Sequence, residues 1–418
     1  MSTSTSRVIL ALLSCMVAPF AHAEFALHDG DTVAFLGDSI TAARGYTKIV
    51  EHYTLMRFPD RRVHFVNAGQ GGDTASGALK RLDRDVFSQG ATVVTVAFGI
   101  NDIGWGMKAN DESKQRYFDG LKEIIEQCRT HGVRPIICSA AITAETPDKA
   151  ENGYLQHMTD EGLALAKSLG AETIDIQRGM REIQRRIVTA NEKESDPKKK
   201  TRMHVEDGIH LNDLGHLAMA YAMLKGLGAP EEVSSVELDA AGASLVNAQG
   251  CSVSEIQKQD DGIAFVRADQ GLPITFGGFS AFDFHWVPIP DGLDRYMLSV
   301  KNLSPGDYEI TVDGMRLGKT SAAQLAKGLN IFAMTAEPLE PGGPWDAQSQ
   351  VVKELVDARD KVWMSNQIRN KHLKQRTDLE GPAKELADKL FELQRAVAHP
   401  VAYHFLIRKQ EAAPPAAQ

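Results

Sequence analysis

Four short blocks of this 418-residue chain carry side chains suited to acyl transfer. In the first, the apolar run Val33-Ala34-Phe35-Leu36 breaks into Gly37-Asp38-Ser39-Ile40. A serine hydroxyl at a strand-to-helix corner lies beside backbone N–H groups and the positive end of a helix dipole, where an alkoxide-like transition state is stabilised. The commoner fate of such a serine is to cap the helix. A nucleophile also needs a base, a group that orients the base, and donors for the oxyanion. His210 is the candidate base and Asp207, three residues earlier, the candidate orienting acid. At that spacing the carboxylate can fold back on one imidazole nitrogen and leave the other for Ser39. Capping of the helix that follows is the plainer use of the same pair. Donors are available in Asn67-Ala68-Gly69-Gln70-Gly71-Gly72-Asp73-Thr74, where glycines leave N–H groups uncovered, and in Gly99-Ile100-Asn101-Asp102. The Asn101 carboxamide has two N–H donors and adds no charge. A simple turn, and an amide bonded to its own backbone, are the ordinary readings of these two blocks.

The elements around these blocks bring them together. From Asp31 to Gly228, apolar runs at 32–36, 63–67, 92–98, 133–139 and 173–176 alternate with helical patterns near 42–57, 74–87, 112–130, 155–169 and 178–191. Such alternation predicts a parallel sheet covered on both faces, with ligands beyond the carboxyl ends of its strands. The Ser39, Gly72 and Asn101 blocks then share one edge. The glycine loop has neither the G-x-G-x-x-G order nor the lysine of a G-x-x-x-x-G-K-[ST] loop, which argues against nucleotide binding.

In this order, Gly37-Asp38-Ser39-Ile40, Gly72, Gly99-Ile100-Asn101-Asp102 and Asp207-x-x-His210 resemble the signature blocks of the SGNH (GDSL-type) hydrolase superfamily, over about residues 30–228. The resemblance implies a flavodoxin-like three-layer α/β sandwich around a five-stranded parallel sheet. It also implies Ser39 as nucleophile, His210 as base, Asp207 as orienting acid, and an oxyanion hole from the Ser39 and Gly72 N–H groups with the Asn101 side chain. Ile40 stands where the family motif has leucine. The G-x-S-x-G elbow of the other large serine-esterase fold is absent. No metal or organic cofactor is implied. His204, Asp207 and His210 could be grouped as metal ligands, but the triad accounts better for the last two. His216, on the following helix, reads as structural.

The remainder of the chain frames this core. Residues 1–23, with Arg7, an apolar stretch and Ala21-His22-Ala23, read as an export signal with cleavage after Ala23, and hence as a periplasmic or secreted protein. Cys15 would be the lipid-attachment alternative. The core domain is expected at 24–230, a β-rich segment at 231–340, helices at 341–400 and a tail at 401–418 with a disordered end. Strands are expected near 233–238, 263–267, 273–276, 296–300 and 307–312. Helical stripes are expected at Val351/Leu355/Ala358/Val362 and Leu386/Leu390/Leu393/Val397. Asp291–Asn330 and the helices after it look similar to the C-terminal extensions of some secreted bacterial members of the superfamily. A net charge of −9 argues against nucleic acid as a partner, and no later apolar run reaches the roughly 20 residues of a membrane span. Cys128, Cys138 and Cys251 do not describe a disulfide framework, and the first two read as small buried residues. Trp105, directly after the Asn101 block, could stack on a sugar ring at the cleft rim or pack its loop on the core. The substrate reading is a short acyl ester, such as acetyl on a carbohydrate. A lipid or lysophospholipid acylhydrolase is the rival enzyme, and a non-catalytic carbohydrate-binding protein the rival of another class.

Overall fold

Five of the apolar runs form one all-parallel sheet in the order β2-β1-β3-β4-β5. The computed structural model describes residues 24–276, 280–332, 334–336, 342–366 and 380–410, so the expected export signal and Glu411–Gln418 lie outside the described residues. The strands are β1 Thr32–Gly37, β2 His64–Gly69, β3 Val93–Ala97, β4 Arg134–Cys138 and β5 Glu172–Ile174. Helices α1 (Ser39–Ala43) and α2 (Gly45–Arg57) follow β1. Alternate side chains of β1 feed the two faces: Val33 and Phe35 enter one apolar cluster, Ala34 and Leu36 the other. This two-sided burial is why the run reads as continuously apolar. The sheet order is that of a flavodoxin-like sandwich, as the resemblance implied.

The second half builds two more sheets from β6 Glu232–Asp239, β7 Ser244–Gln249, β8 Cys251–Gln259, β9 Gly262–Asp269, β10 Arg295–Lys301, β11 Asp307–Val312, β12 Met315–Ser321, β13 Leu329–Asn330 and β14 Tyr403–Lys409. Their orders are β13-β10-β6-β7 and β12-β11-β14-β9-β8. β14 corrects the expected tail at 401–418: it lies between β11 and β9, antiparallel to both. Tyr403, Phe405 and Ile407 are buried while His404 and Arg408 are exposed, the period-two pattern of a strand with one covered face. Residues 273–276, expected as a strand, are a loop instead. The Leu272 N–H donates to the Met56 carbonyl, and the Thr275 N–H to Ser349 Oγ at 2.9 Å.

Helix Pro344–Asn366 lies along α2. Arg44 stands just before the first residue of α2, and Lys48, Glu51 and His52 fall on one side of it. These four bond to Asp360, Asp357, Arg359 and Ser349 respectively. The buried stripes of this helix and of Glu380–Ala398 sit one residue beyond those expected. Val352 and Val356 are buried and Val351 exposed; Ala387, Phe391 and Ala398 are buried and Leu386 and Leu393 exposed. The stripe of the first helix is set by the partner it meets on α2, which its own periodicity does not encode. Cys128 and Cys138 are buried, and burial pushes both thiols up to about 12. No described helix is long and apolar enough to cross a membrane.

Candidate active site

The turn after β1 is tight. A Cβ on Gly37 would lie 2.1 Å from Thr41 Oγ1 and 3.0 Å from the Ala97 carbonyl, so glycine is required there for space. Asp38, not Ser39, caps α1: its carboxylate accepts the Ile40 N–H at 2.9 Å. The capping role that would have made Ser39 ordinary is therefore taken by its neighbour, and Ser39 Oγ lies 2.9 Å from His210 Nε2.

His210 stands on a loop that folds back on itself. The Val205 N–H donates to the His210 carbonyl at 2.9 Å, and the Asn212 N–H to the Met203 carbonyl at 3.1 Å. The Ala144 N–H, beyond β4, donates to the Gly208 carbonyl at 2.8 Å and ties this loop to the sheet. Asp207 Oδ2 lies 2.5 Å from His210 Nδ1, while its Oδ1 accepts the Ile209 and His210 N–H groups at 2.8 and 2.9 Å. The bond from His210, helped by those two N–H groups, lowers the Asp207 carboxyl to about 2. It is an anion at any working pH and can hold Nδ1 protonated, which leaves Nε2 to accept from Ser39.

Gly72 and Asn101 are joined through Asp73. Gly72 has φ 75°, a conformation glycine takes freely. The Gln70 N–H donates to the Gly37 carbonyl at 3.0 Å, which pins this loop to the turn that carries Ser39. Asn101 Nδ2 donates to the Asp73 carbonyl at 3.1 Å, and its other N–H remains available.

Three residues of this arrangement escaped the sequence reading: Asp38, Asp73 and Arg81. Arg81 is buried, and its guanidinium bonds Asp73 Oδ2 at 2.7 Å, Asp85 Oδ2 at 3.1 Å, the Ala68 carbonyl at 2.6 Å and the Gly37 carbonyl at 3.1 Å. It thus joins the ends of β1 and β2 to the loop of Gly72. In sequence Arg81 looks like any charge on an exposed helix; its partners are set by tertiary structure.

Trp105 lies at the rim, 48% exposed, so it does not pack the loop on the core. It borders a cleft of about 600 Å³ shared with Ile103, Thr143, Glu145, Tyr154, Leu155 and Asp207. His204 Nε2 bonds the Ile142 carbonyl at 3.1 Å and braces the loop. His216 is buried against Gly45 and is structural.

Burial pushes Asp38 up to about 6, partly offset by the Ile40 N–H and by His210. Burial also raises Asp102 and Glu51 to about 7 and Asp294 to about 8. Unfolded, such groups titrate near 4, so the folded chain retains protons to higher pH and loses stability as pH rises through the folded values. Burial lowers His52 to about 3 and His216 to about 4; these remain neutral when folded, so they cost stability as pH falls below about 6.5. The thermal midpoint is therefore expected to fall as pH rises from about 6 to about 8.5. A midpoint still rising at pH 8.5 in a calorimetric series would contradict these assignments.

Residues 35–218 match the model of the GDSL-like Lipase/Acylhydrolase family, the same part of the chain in which the four blocks were recognised. The uncharacterized lipoprotein YqeF of Bacillus subtilis (strain 168) is 34% identical over 114 residues, 26% of this chain and 46% of that protein. The match thus spans less than half of that relative's length. An acetylxylan esterase of Geobacillus stearothermophilus is 22% identical over 227 residues, 48% of this chain and 94% of that protein. Among solved structures, a gut microbial diltiazem-metabolizing enzyme superposes with a TM-score of 0.78 at 24% identity, covering 92% of this chain and 98% of that one. The shared fold therefore includes the second half of the chain as well as residues 35–218.

Proposed function

We propose that this chain is an exported serine esterase that removes short acyl groups, acetyl above all, from a carbohydrate. One observation carries the esterase reading: Ser39, His210 and Asp207 form an unbroken hydrogen-bonded line, Oγ to Nε2 at 2.9 Å and Nδ1 to Oδ2 at 2.5 Å. In this reading His210 takes the Ser39 proton as Oγ attacks the ester carbonyl. The Ser39 and Gly72 N–H groups and the Asn101 amide receive the oxyanion, and His210 returns the proton to the leaving alcohol. Water, activated by the same imidazole, then releases the acid from Ser39. Support for the sugar ester comes from the acetylxylan esterase relative and from a cleft with both polar and aromatic lining. Support for export comes from residues 1–23 and from the lipoprotein relative.

A fluorophosphonate should add one adduct to the wild type and none to Ser39→Ala, read by intact mass. An equal adduct on the variant, or none on the wild type, would defeat the esterase reading. Rates on acetylated xylo-oligosaccharides are expected to exceed those on long-chain nitrophenyl esters, and the reverse order would favour a lipid acylhydrolase. Diltiazem belongs in the panel because a chain of the same fold metabolizes it.

A further inference from the structure

Trp105 occupies a backbone conformation unusual for a residue with a side chain. Gly104, Trp105 and Gly106 have φ of 52°, 59° and 93°, three left-handed residues in succession. Glycine takes these values freely and tryptophan does not, so the surroundings must hold Trp105 there. The Trp105 N–H donates to the Ile100 carbonyl at 2.9 Å, and the Gly104 N–H to the Asn101 carbonyl at 2.9 Å. This turn wraps the main chain of the Asn101 block and delivers the indole to one place. Its N–H donates to Asn101 Oδ1 at 2.8 Å, and its ring meets the His210 ring at 80° with centroids 5.9 Å apart.

A carboxamide can face either way, and its bonds decide which. Here Oδ1 accepts from Trp105 while Nδ2 gives one hydrogen to the Asp73 carbonyl, so the second Nδ2 hydrogen is left for an oxyanion. Turned over, Oδ1 would face the Asp73 carbonyl, two acceptors with no proton between them, and the indole N–H would lose its partner. We infer that Trp105 is a positioning residue of the oxyanion hole: its indole N–H holds the Asn101 amide with the nitrogen toward the substrate. The inference rests on the esterase reading above. It differs from the sugar-stacking role, which uses the face of the ring and needs nothing of its N–H.

Trp105→Phe keeps an aromatic ring and removes the donor. The test measures kcat and KM on p-nitrophenyl acetate, which has no sugar, and on an acetylated xylo-oligosaccharide. Positioning predicts that kcat falls about tenfold on both while KM changes less than about twofold. Binding of a trifluoromethyl ketone, whose hydrate mimics the tetrahedral state, should weaken by a similar factor. In an Asn101→Ala background the same substitution should cost little more, since the group it orients is gone. The half-exposed site lets the variant fold, which an unchanged thermal midpoint would verify. A raised KM on the oligosaccharide with normal kcat on p-nitrophenyl acetate would overturn the inference in favour of a sugar contact. Wild-type values on both substrates would also overturn it. A wild type inert to both esters and to fluorophosphonate would instead overturn the esterase reading, and this inference with it.

Discussion

His210→Ala is expected to lower kcat for ester hydrolysis by about four orders of magnitude or more, with KM little changed. The imidazole Nε2 lies 2.9 Å from Ser39 Oγ and is placed to take its proton. The Asp38 carboxylate, next to Ser39 in sequence, is committed to the Ile40 N–H. Asp207→Asn should cost a similar factor for a different reason. An amide in place of Oδ2 can present its N–H to the ring, which would favour the tautomer with Nε2 protonated, unable to accept from Ser39. Because the triad acts as a unit, the two changes combined should cost little more than the larger of them. Asp207, lowered to about 2 by its bonds, is ionised across the working range and should add nothing to the acid side of the pH–rate profile. Steady-state kinetics from pH 4 to 9 on the wild type and both variants checks this. A His210→Ala rate within tenfold of wild type would remove the histidine from the mechanism.

The sheet and the Asp207–His210 pair were legible because each leaves a local mark. β1 is buried on both faces and so reads as an unbroken apolar run, and Asp207 and His210 lie three residues apart on one loop. What the sequence could not show is which polar group serves which purpose. Ser39 and Asp38 both suit a helix start, and only the structure assigns the cap to Asp38. Trp105 could be read as a ring for a sugar or as packing for its loop, and its bond to Asn101 stayed hidden because it depends on a left-handed turn that no composition rule predicts. The need for Gly37 is likewise not visible in the sequence: it is space beside Thr41 and the Ala97 carbonyl. β14 was hidden for a topological reason. Its neighbours β9 and β11 lie more than ninety positions earlier, and the Ala/Pro-rich stretch after it has the composition of a tail.

Arg81 is the residue whose loss should be felt most in stability. Its guanidinium is 5% exposed and faces the carboxylates of Asp73 and Asp85, 7% and 2% exposed. Arg81→Met fills much of the same volume but leaves Asp73 without its counter-ion, Asp85 with Arg84 alone, and the Gly37 and Ala68 carbonyls without the guanidinium's bonds. Removing one partner of a buried ion pair costs about 3–5 kcal/mol, because the charge left behind has lost both its water and its counter-ion. Against a typical total of about 5–15 kcal/mol, that is a large fraction of the stability. Arg81→Lys keeps the charge yet cannot reach four acceptors with a planar fork, so it should fall between the two. Denaturant midpoints at constant m-value give the order wild type, Arg81→Lys, Arg81→Met. If Arg81→Met were as stable as wild type, the cluster would be decoration. The same network leads to a kinetic expectation. Since Asp73 accepts from Asn101 through its carbonyl and from Arg81 through its carboxylate, Arg81→Lys should lower kcat under conditions where it is fully folded. A loss of stability with kcat intact would confine Arg81 to the fold and leave Asn101 positioned by Trp105 and the backbone alone.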